Sequence, residues 1–566
     1  MSARERLNVV FCWHMHQPEY RDLVTGRYRQ PWTYLHAIKD YTDMAAHLEA
    51  YPAIRAVVNF APILLEGIDD YRMQLEAFLR EQKPVSDPLL AALTGGSIPI
   101  SIGDRRALAQ KCLRANEDRI INRFEPYRRL VEVVRSSERQ PPVLDYLNDQ
   151  FFRDLLVWYH LAWLGESVRR TDARVRRLIN KERQFDNTDR RELTEVLTET
   201  LGQVIPRYRR LAEAGQIELS MTPYAHPMMP LLADFGAACE AVPDVSLPAG
   251  VYPGGMERVR WHLETGLVSF ENAFGRRPTG CWPSEGGISD PILPPLAEYG
   301  FQWIASGQEV LGNSLKQSNS DMQNGAWPYR PYRLCNLPVY GFFRDDGLSD
   351  AIGFTYFDWH GEDAVADLVH HLEKIASRLD TPAAHVVSII MDGENAWEHY
   401  PENGAYFLDH LYATLSDHPQ LTTTTYAEFL GQHAAGAREL PRICAGSWVY
   451  GNFSTWIGDP DKNRAWNILI KAKRTFDDVV ASQALPAEKR EQLERQLAIC
   501  EGSDWFWWFG DYNPVASIED FSDLYCRHIR NLHEMLGRPA PAGLDGAFGS
   551  GGAAEHGGAM RRGTTG

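Results

Sequence analysis

Short apolar runs that stop at a polar or charged residue recur along roughly the first 400 positions, with helical patterns between them. They are "LNVVFCW" at 7–13, "AVVNFAPILLEGI" at 56–68, "GQIELSMT" at 215–222, "TGCWPSEGG" at 279–287, "YGFQWIASG" at 299–307, "YGFFRDDGLSDAIGF" at 340–354 and "HVVSIIMDGENAW" at 385–397. A strand buried on both faces reads as such a run, and successive parallel strands need a crossover long enough to hold a helix. "GGMERVRWHLETGLVSFENAFG" at 254–275 is one helical pattern of this kind. The alternation predicts an α/β fold, either a parallel barrel or a doubly wound sheet.

From about 104 to 214 charged amphipathic helices interrupt the alternation, so a helical insertion is expected there. The α/β unit is therefore placed at 1–400 and a second, helical region at 401–538, with the aromatic loop "GSWVYGNFSTWIGDPDKNRAWNIL" set into it at 446–469. The tail at 539–566 is rich in Gly and Ala with few apolar side chains to bury, which predicts disorder.

A net charge of -17 argues against nucleic acid or an anionic membrane as the main partner. No apolar run is long enough for a signal peptide or a membrane span, and a cytoplasmic location is expected. The 8 cysteines are scattered without CxxC spacing and read as reduced, buried thiols.

Strand ends carry the chemistry in such folds. His14 and His16 follow the first apolar run one residue apart, so they point to one side. Such a His-x-His pair can begin a divalent-metal site of the amidohydrolase kind, with His226 and Asp392 as further ligands, or it can bind a sugar. Glu285 and Asp392 each follow an apolar stretch, and an acid ending a buried strand is costly unless paired or functional. Two carboxylates facing one cavity can perform glycosidic chemistry. Several of the 16 Trp residues, among them Trp282, Trp397, Trp448 and Trp456, flank Gly, Pro or carboxylates, as indoles that stack on sugar rings do.

Five stretches in order, "HMHQP" (14–18), "GQIELSMTPYAHPMMPLL" (215–232), "GCWPSEGGIS" (280–289), "IIMDGENAWEHY" (389–400) and "GSWVYGNFSTWIGDPDKNRAW" (446–466), resemble the signature regions of glycoside hydrolase family 57. The resemblance implies an incomplete (β/α)7 barrel followed by a helical region, action on α-glucans with retention of configuration, and no metal or other cofactor. It implies Glu285 as nucleophile and Asp392 as general acid and base. It also places His14, His16, Gln17, Glu218, His226, Trp282, Trp397, Trp448, Trp456 and Asp459 around the substrate.

The fourth and fifth regions look most like the amylopullulanase and α-amylase branch. The expected activity is hydrolysis of α-1,4 glucosidic bonds, extending to α-1,6 bonds, with 4-α-glucanotransferase or branching activity as the nearest alternative. At one loop the chain departs from its relatives: where they usually show Thr-Asp-Glu, it has Ser306, Gly307 and Gln308.

Overall fold

The computed structural model describes residues 5–95, 98–139, 146–320, 322 and 325–563. Its ten-stranded sheet is organised by parallel strands β1 (Leu7–Met15), β2 (Ala56–Phe60), β3 (Ile217–Met221), β4 (Gly280–Cys281), β5 (Trp303–Ser306), β6 (Tyr340–Phe343) and β7 (Val386–Asp392), which lie side by side in the order β7-β1-β2-β3-β4-β5-β6. The sheet curls until the end of β6 returns to β7, where the Asp345 amide donates to the Ser388 carbonyl at 2.8 Å and Arg344 bridges Ser388. An isolated backbone bridge in place of a strand ladder at this seam makes this the expected incomplete barrel.

Alternate side chains divide between interior and exterior. Val10 and Cys12 of β1 join Val57, Trp303, Phe342 and Ile390 in the barrel core, whereas Val9, Phe11 and Trp13 pack outward beneath the helices. Continuing the inward series places His14 at the barrel mouth. The register sets Asp392, His14, Asn59 and Ser220 in one layer, and Ile390, Cys12, Val57 and Glu218 in the layer below.

Helices cover the sheet. Pro62–Glu81 (α1) follows β2 directly, with Pro62 in the first turn where its missing N–H costs nothing. The insertion ends in Asn187–Glu213 (α2), whose start carries a capping box from Asp186 and Asp189. Gly255–Phe274 (α3) leads toward β4. The stretch 340–354 is strand only over Tyr340–Phe343; Asp346–Phe354 is a helix, because the Asp345 carboxylate accepts the Leu348 amide and caps it.

The C-terminal part contributes Pro460–Ser482 (α4), Ala487–Cys500 (α5), Ser503–Trp508 (α6) and Val515–Met535 (α7). It is locked to α3 by Glu501, fully buried, which accepts from Arg258 Nε at 2.8 Å, His262 Nε2 at 2.8 Å and the Tyr252 hydroxyl. Burial opposes this carboxylate's charge, but Arg258 and His262 hold its pKa down at about 2.

The tail corrects the expectation of disorder over residues 539–563. Phe548 is buried and stacks on Phe509 with ring centroids 4.5 Å apart, and Trp507 Nε1 donates to the Gly558 carbonyl at 2.7 Å. Composition pointed the other way because a glycine-rich strap needs little apolar bulk of its own when it lies on aromatic side chains supplied by the body. Thr564–Gly566 lie outside the described residues. No helix among the described residues is long and apolar enough to cross a membrane.

Candidate active site

A cavity of about 300 Å³ opens at the carboxyl ends of the strands, lined among others by His14, His16, Gln17, His226, Glu285, Asp392, Glu394, Trp448 and Asp504. Asp392 is the last residue of β7, and Glu285 lies in the turn after β4. Glu285 has φ 58°, in the left-handed region that costs a non-glycine residue about 1–2 kcal/mol. The next residue, Gly286, is forced: a Cβ there would lie 2.9 Å from Trp282 Cη2.

The turn is held by the aromatic loop. Ile288 and Gly446 exchange backbone hydrogen bonds of 2.9 and 3.1 Å, the Trp448 amide donates to the Glu285 carbonyl at 3.0 Å, and Trp448 Nε1 donates to Glu285 Oε2 at 3.2 Å. Glu285 Oε1 lies 3.0 Å from Ser503 Oγ at the start of α6. Asp392 Oδ2 accepts from Asn395 Nδ2 at 2.8 Å.

Burial first, then the charges of Asp504 and Asp392, pushes Glu285 up to about 8. Burial pushes Asp392 up to about 6, restrained by the Asn395 hydrogen bond, His16 and Arg344. Of the two, Glu285 is the one pushed further toward its protonated form.

The hydrogen-bond network leads to the same proton position. Asn59 donates Nδ2 to Ser220 Oγ, so its Oδ1 accepts, and His14 Nδ1 at 2.7 Å must carry a proton. His14 Nε2 is then an acceptor, and His226 Nε2, 3.1 Å away, donates to it. That leaves His226 Nδ1 to accept the Ser503 hydroxyl proton at 2.8 Å. Ser503 has no second proton, so its 3.0 Å contact with Glu285 is best satisfied by a protonated carboxyl donating to Ser503 Oγ. Burial lowers the pKa of His14 to about 3 and that of His226 well below its usual value, which keeps both rings neutral.

His16, His226 and Asp504 each offer a ligand atom within 4.8 Å of the others, the make-up of a divalent-metal site. The rings of His16 and His226, however, are stacked 3.8 Å apart at 12°, so their in-plane lone pairs run side by side rather than converging. His16 Nε2 is also engaged with Asp504 Oδ1 at 2.8 Å. As arranged, the cluster is a hydrogen-bonded one.

The expected site residues divide accordingly. His14, His16, Gln17, His226, Trp448, Glu285 and Asp392 line the cavity. Glu218 does not: one layer below, it accepts from Thr279 Oγ1 at 2.7 Å, Trp303 Nε1 at 2.6 Å and the Ala427 amide at 2.9 Å, a structural role inside the barrel. Trp282, Trp397 and Trp456 are fully buried core side chains, the first packing edge-on against Trp448. Asp459 caps α4, accepting the Asp461 and Lys462 amides.

Sequence reasoning passed over Ser503, Asp504 and Glu394. Asp504 and Ser503 open the cluster "SDWFWWFGDYN", where a carboxylate among indoles was the available signal. Glu394 is buried and accepts from Gln17 Nε2 at 3.3 Å.

A curled parallel barrel whose mouth brings two partly buried carboxylates together with imidazole and indole groups is an arrangement suited to acid/base and nucleophilic chemistry. The sequence profile of Glycosyl hydrolase family 57 matches residues 10–441, and the chain belongs to that family. Solved structures agree in fold. A branching enzyme of Pyrococcus horikoshii is 14% identical with a TM-score of 0.56 over 94% of this chain and 90% of its own. A branching enzyme of Thermococcus kodakaraensis is 15% identical with a TM-score of 0.55 over 94% and 88%. An α-amylase of Thermotoga maritima is 14% identical with a TM-score of 0.55 over 94% and 94%. No curated protein matches the chain.

Proposed function

We propose that the protein cleaves α-1,4-glucosidic bonds, and with them α-1,6 bonds, in α-glucans such as maltodextrin or glycogen, by double displacement with retention. Glu285 is the nucleophile and Asp392 the general acid and base. The observation that carries the reading is the pairing of these two carboxylates in one cavity of a family 57 chain.

Glu285 attacks the anomeric carbon while Asp392 protonates the bridging oxygen; the carboxylate of Asp392 then takes a proton from water, whose oxygen displaces Glu285. This requires the proton to stand on Asp392 when the glucan is bound. Trp448 Nε1, which donates to Glu285, favours its ionised form, and an arriving glycosidic oxygen gives a protonated Asp392 its acceptor. His14, His16, Gln17, His226 and Trp448 are positioned to meet the hydroxyls and faces of the sugar. A sugar hydroxyl can replace water in the second step, so glucanotransferase or branching activity is the alternative outcome of the same chemistry.

Azide separates the roles. Glu285→Ala is expected to slow glucan cleavage by several orders of magnitude, with azide restoring turnover to an inverted glycosyl azide. Asp392→Ala is expected to retain more activity on aryl glycosides than on starch and to give the azide of retained configuration. The opposite stereochemical pairing would reverse the two assignments, and loss of turnover on EDTA treatment would turn the His16 cluster into a metal site.

A further inference from the structure

Residues 555–563 lie against the Asp392 side of the cavity. His556, Gly557 and Ala559 contribute to its lining, and Met560 and Arg561 border a smaller adjoining space with Asp392, Trp448 and Trp507. The segment is built in rather than draped over. Arg561 lies over the rings of Trp507 and Tyr512, 4.8 and 4.3 Å from their centroids. The Gly563 amide donates to Asp350 Oδ2 at 2.9 Å, and the Tyr450 amide donates to the Gly563 carbonyl at 2.8 Å. Asp350 is also held by Arg344 at 2.7 Å, and that guanidinium lies 5.4 Å from the ring centroid of Trp448, the indole that bonds Glu285.

Resting on the mechanism proposed above, the position has a chemical meaning. A general acid must reach the bridging oxygen, so the leaving sugar sits on the Asp392 side, and the acceptor of the second step enters where that sugar left. In that step the acceptor O–H passes its proton to the Asp392 carboxylate, the acceptor oxygen bonds the anomeric carbon, and the bond to Glu285 breaks, returning its carboxylate. Water and a sugar hydroxyl are equivalent in this balance; only a surface that holds a sugar there favours the second.

We propose that residues 555–563 form that surface, an acceptor-side wall offering a histidine, peptide groups and the neighbouring Trp507 and Trp508 to a glucose unit. The C-terminal tail thereby sets the partition between transfer and hydrolysis.

The test is a chain ending at Gly552, compared with the full chain on maltoheptaose and with products resolved by size. The ratio of transfer to hydrolysis is expected to fall at least about tenfold and KM to rise, the scale of losing contacts to one sugar. That ratio does not depend on how much enzyme is folded, so a merely structural tail would leave it unmoved. Gly558→Val provides a milder version: a Cβ there lies 2.9 Å from Trp508 Cζ3 and 2.8 Å from Asn513 Oδ1, displacing the wall with the chain intact. An unchanged ratio in both variants overturns the proposal, as does a rise in turnover on every substrate, which would make the tail a plug. Failure of the full chain to act on any α-glucan overturns the glycosidase reading itself.

Discussion

Glu285 combines features that are each unfavourable alone: a left-handed backbone, partial burial, and two neighbouring carboxylates. Strain and perturbed protonation of this kind gather where a group is held for chemistry. The consequence is a pH dependence. Below about 6 Asp392 joins Glu285 in the protonated form and no nucleophile remains; above about 8 Glu285 loses its proton as well and no acid remains. The profile of kcat/KM is therefore expected to be a bell with its maximum between these values, its limbs belonging to the pair rather than to either residue. A single sigmoid, or an optimum below pH 5, would show that the two carboxyls do not titrate as a pair.

At the scale of elements, the site is the meeting of two loops at the turn after β4. Ser306 donates its hydroxyl to the Gly286 carbonyl at 2.6 Å, and a Cβ on Gly307 would lie 2.6 Å from Trp448 Cα. The departure from Thr-Asp-Glu noted in the sequence thus has a physical reading: small residues let the aromatic loop approach and set Trp448 against Glu285. Gly307→Asp, which restores the relatives' acid, is expected to push that loop away and lower kcat/KM on maltodextrin by about 10- to 100-fold, the cost of displacing a positioned group by about 1 Å. Activity kept within about twofold would mean that the close approach is not functional.

At the scale of the whole molecule, the helical region helps build the cavity because α6 brings Asp504 to its wall and Ser503 to Glu285. The buried Glu501, just before α6, fixes that docking. Glu501→Ala leaves Arg258 buried without its main partner and is expected to cost about 3–5 kcal/mol, read by urea unfolding, with activity lost before secondary structure. Its carboxyl is held at about 2 against an ordinary 4.5, so the stabilisation is present above pH 4.5 and is lost as pH falls toward 2. The stability gap between the wild type and Glu501→Gln should shrink over that window.

What the sequence determined is what local rules govern. Apolar runs of strand length, helices between them and acids at run ends led to the parallel α/β class, the helical insertion and the candidates Glu285 and Asp392, because burial and the two-residue side-chain period act within one segment. The tertiary structure decided whatever depends on register and closure. Glu218 reads like a site residue until strand pairing puts it one layer too deep; Trp282, Trp397 and Trp456 have the composition of sugar platforms and fill the core. Asp504 meets His16 across 488 positions, and the glycine-rich tail closes the cavity wall, since neither contact leaves a periodicity in the chain. Which distant side chains share a cavity is settled by how the sheet curls and which loops pack on its mouth, a property of the whole fold.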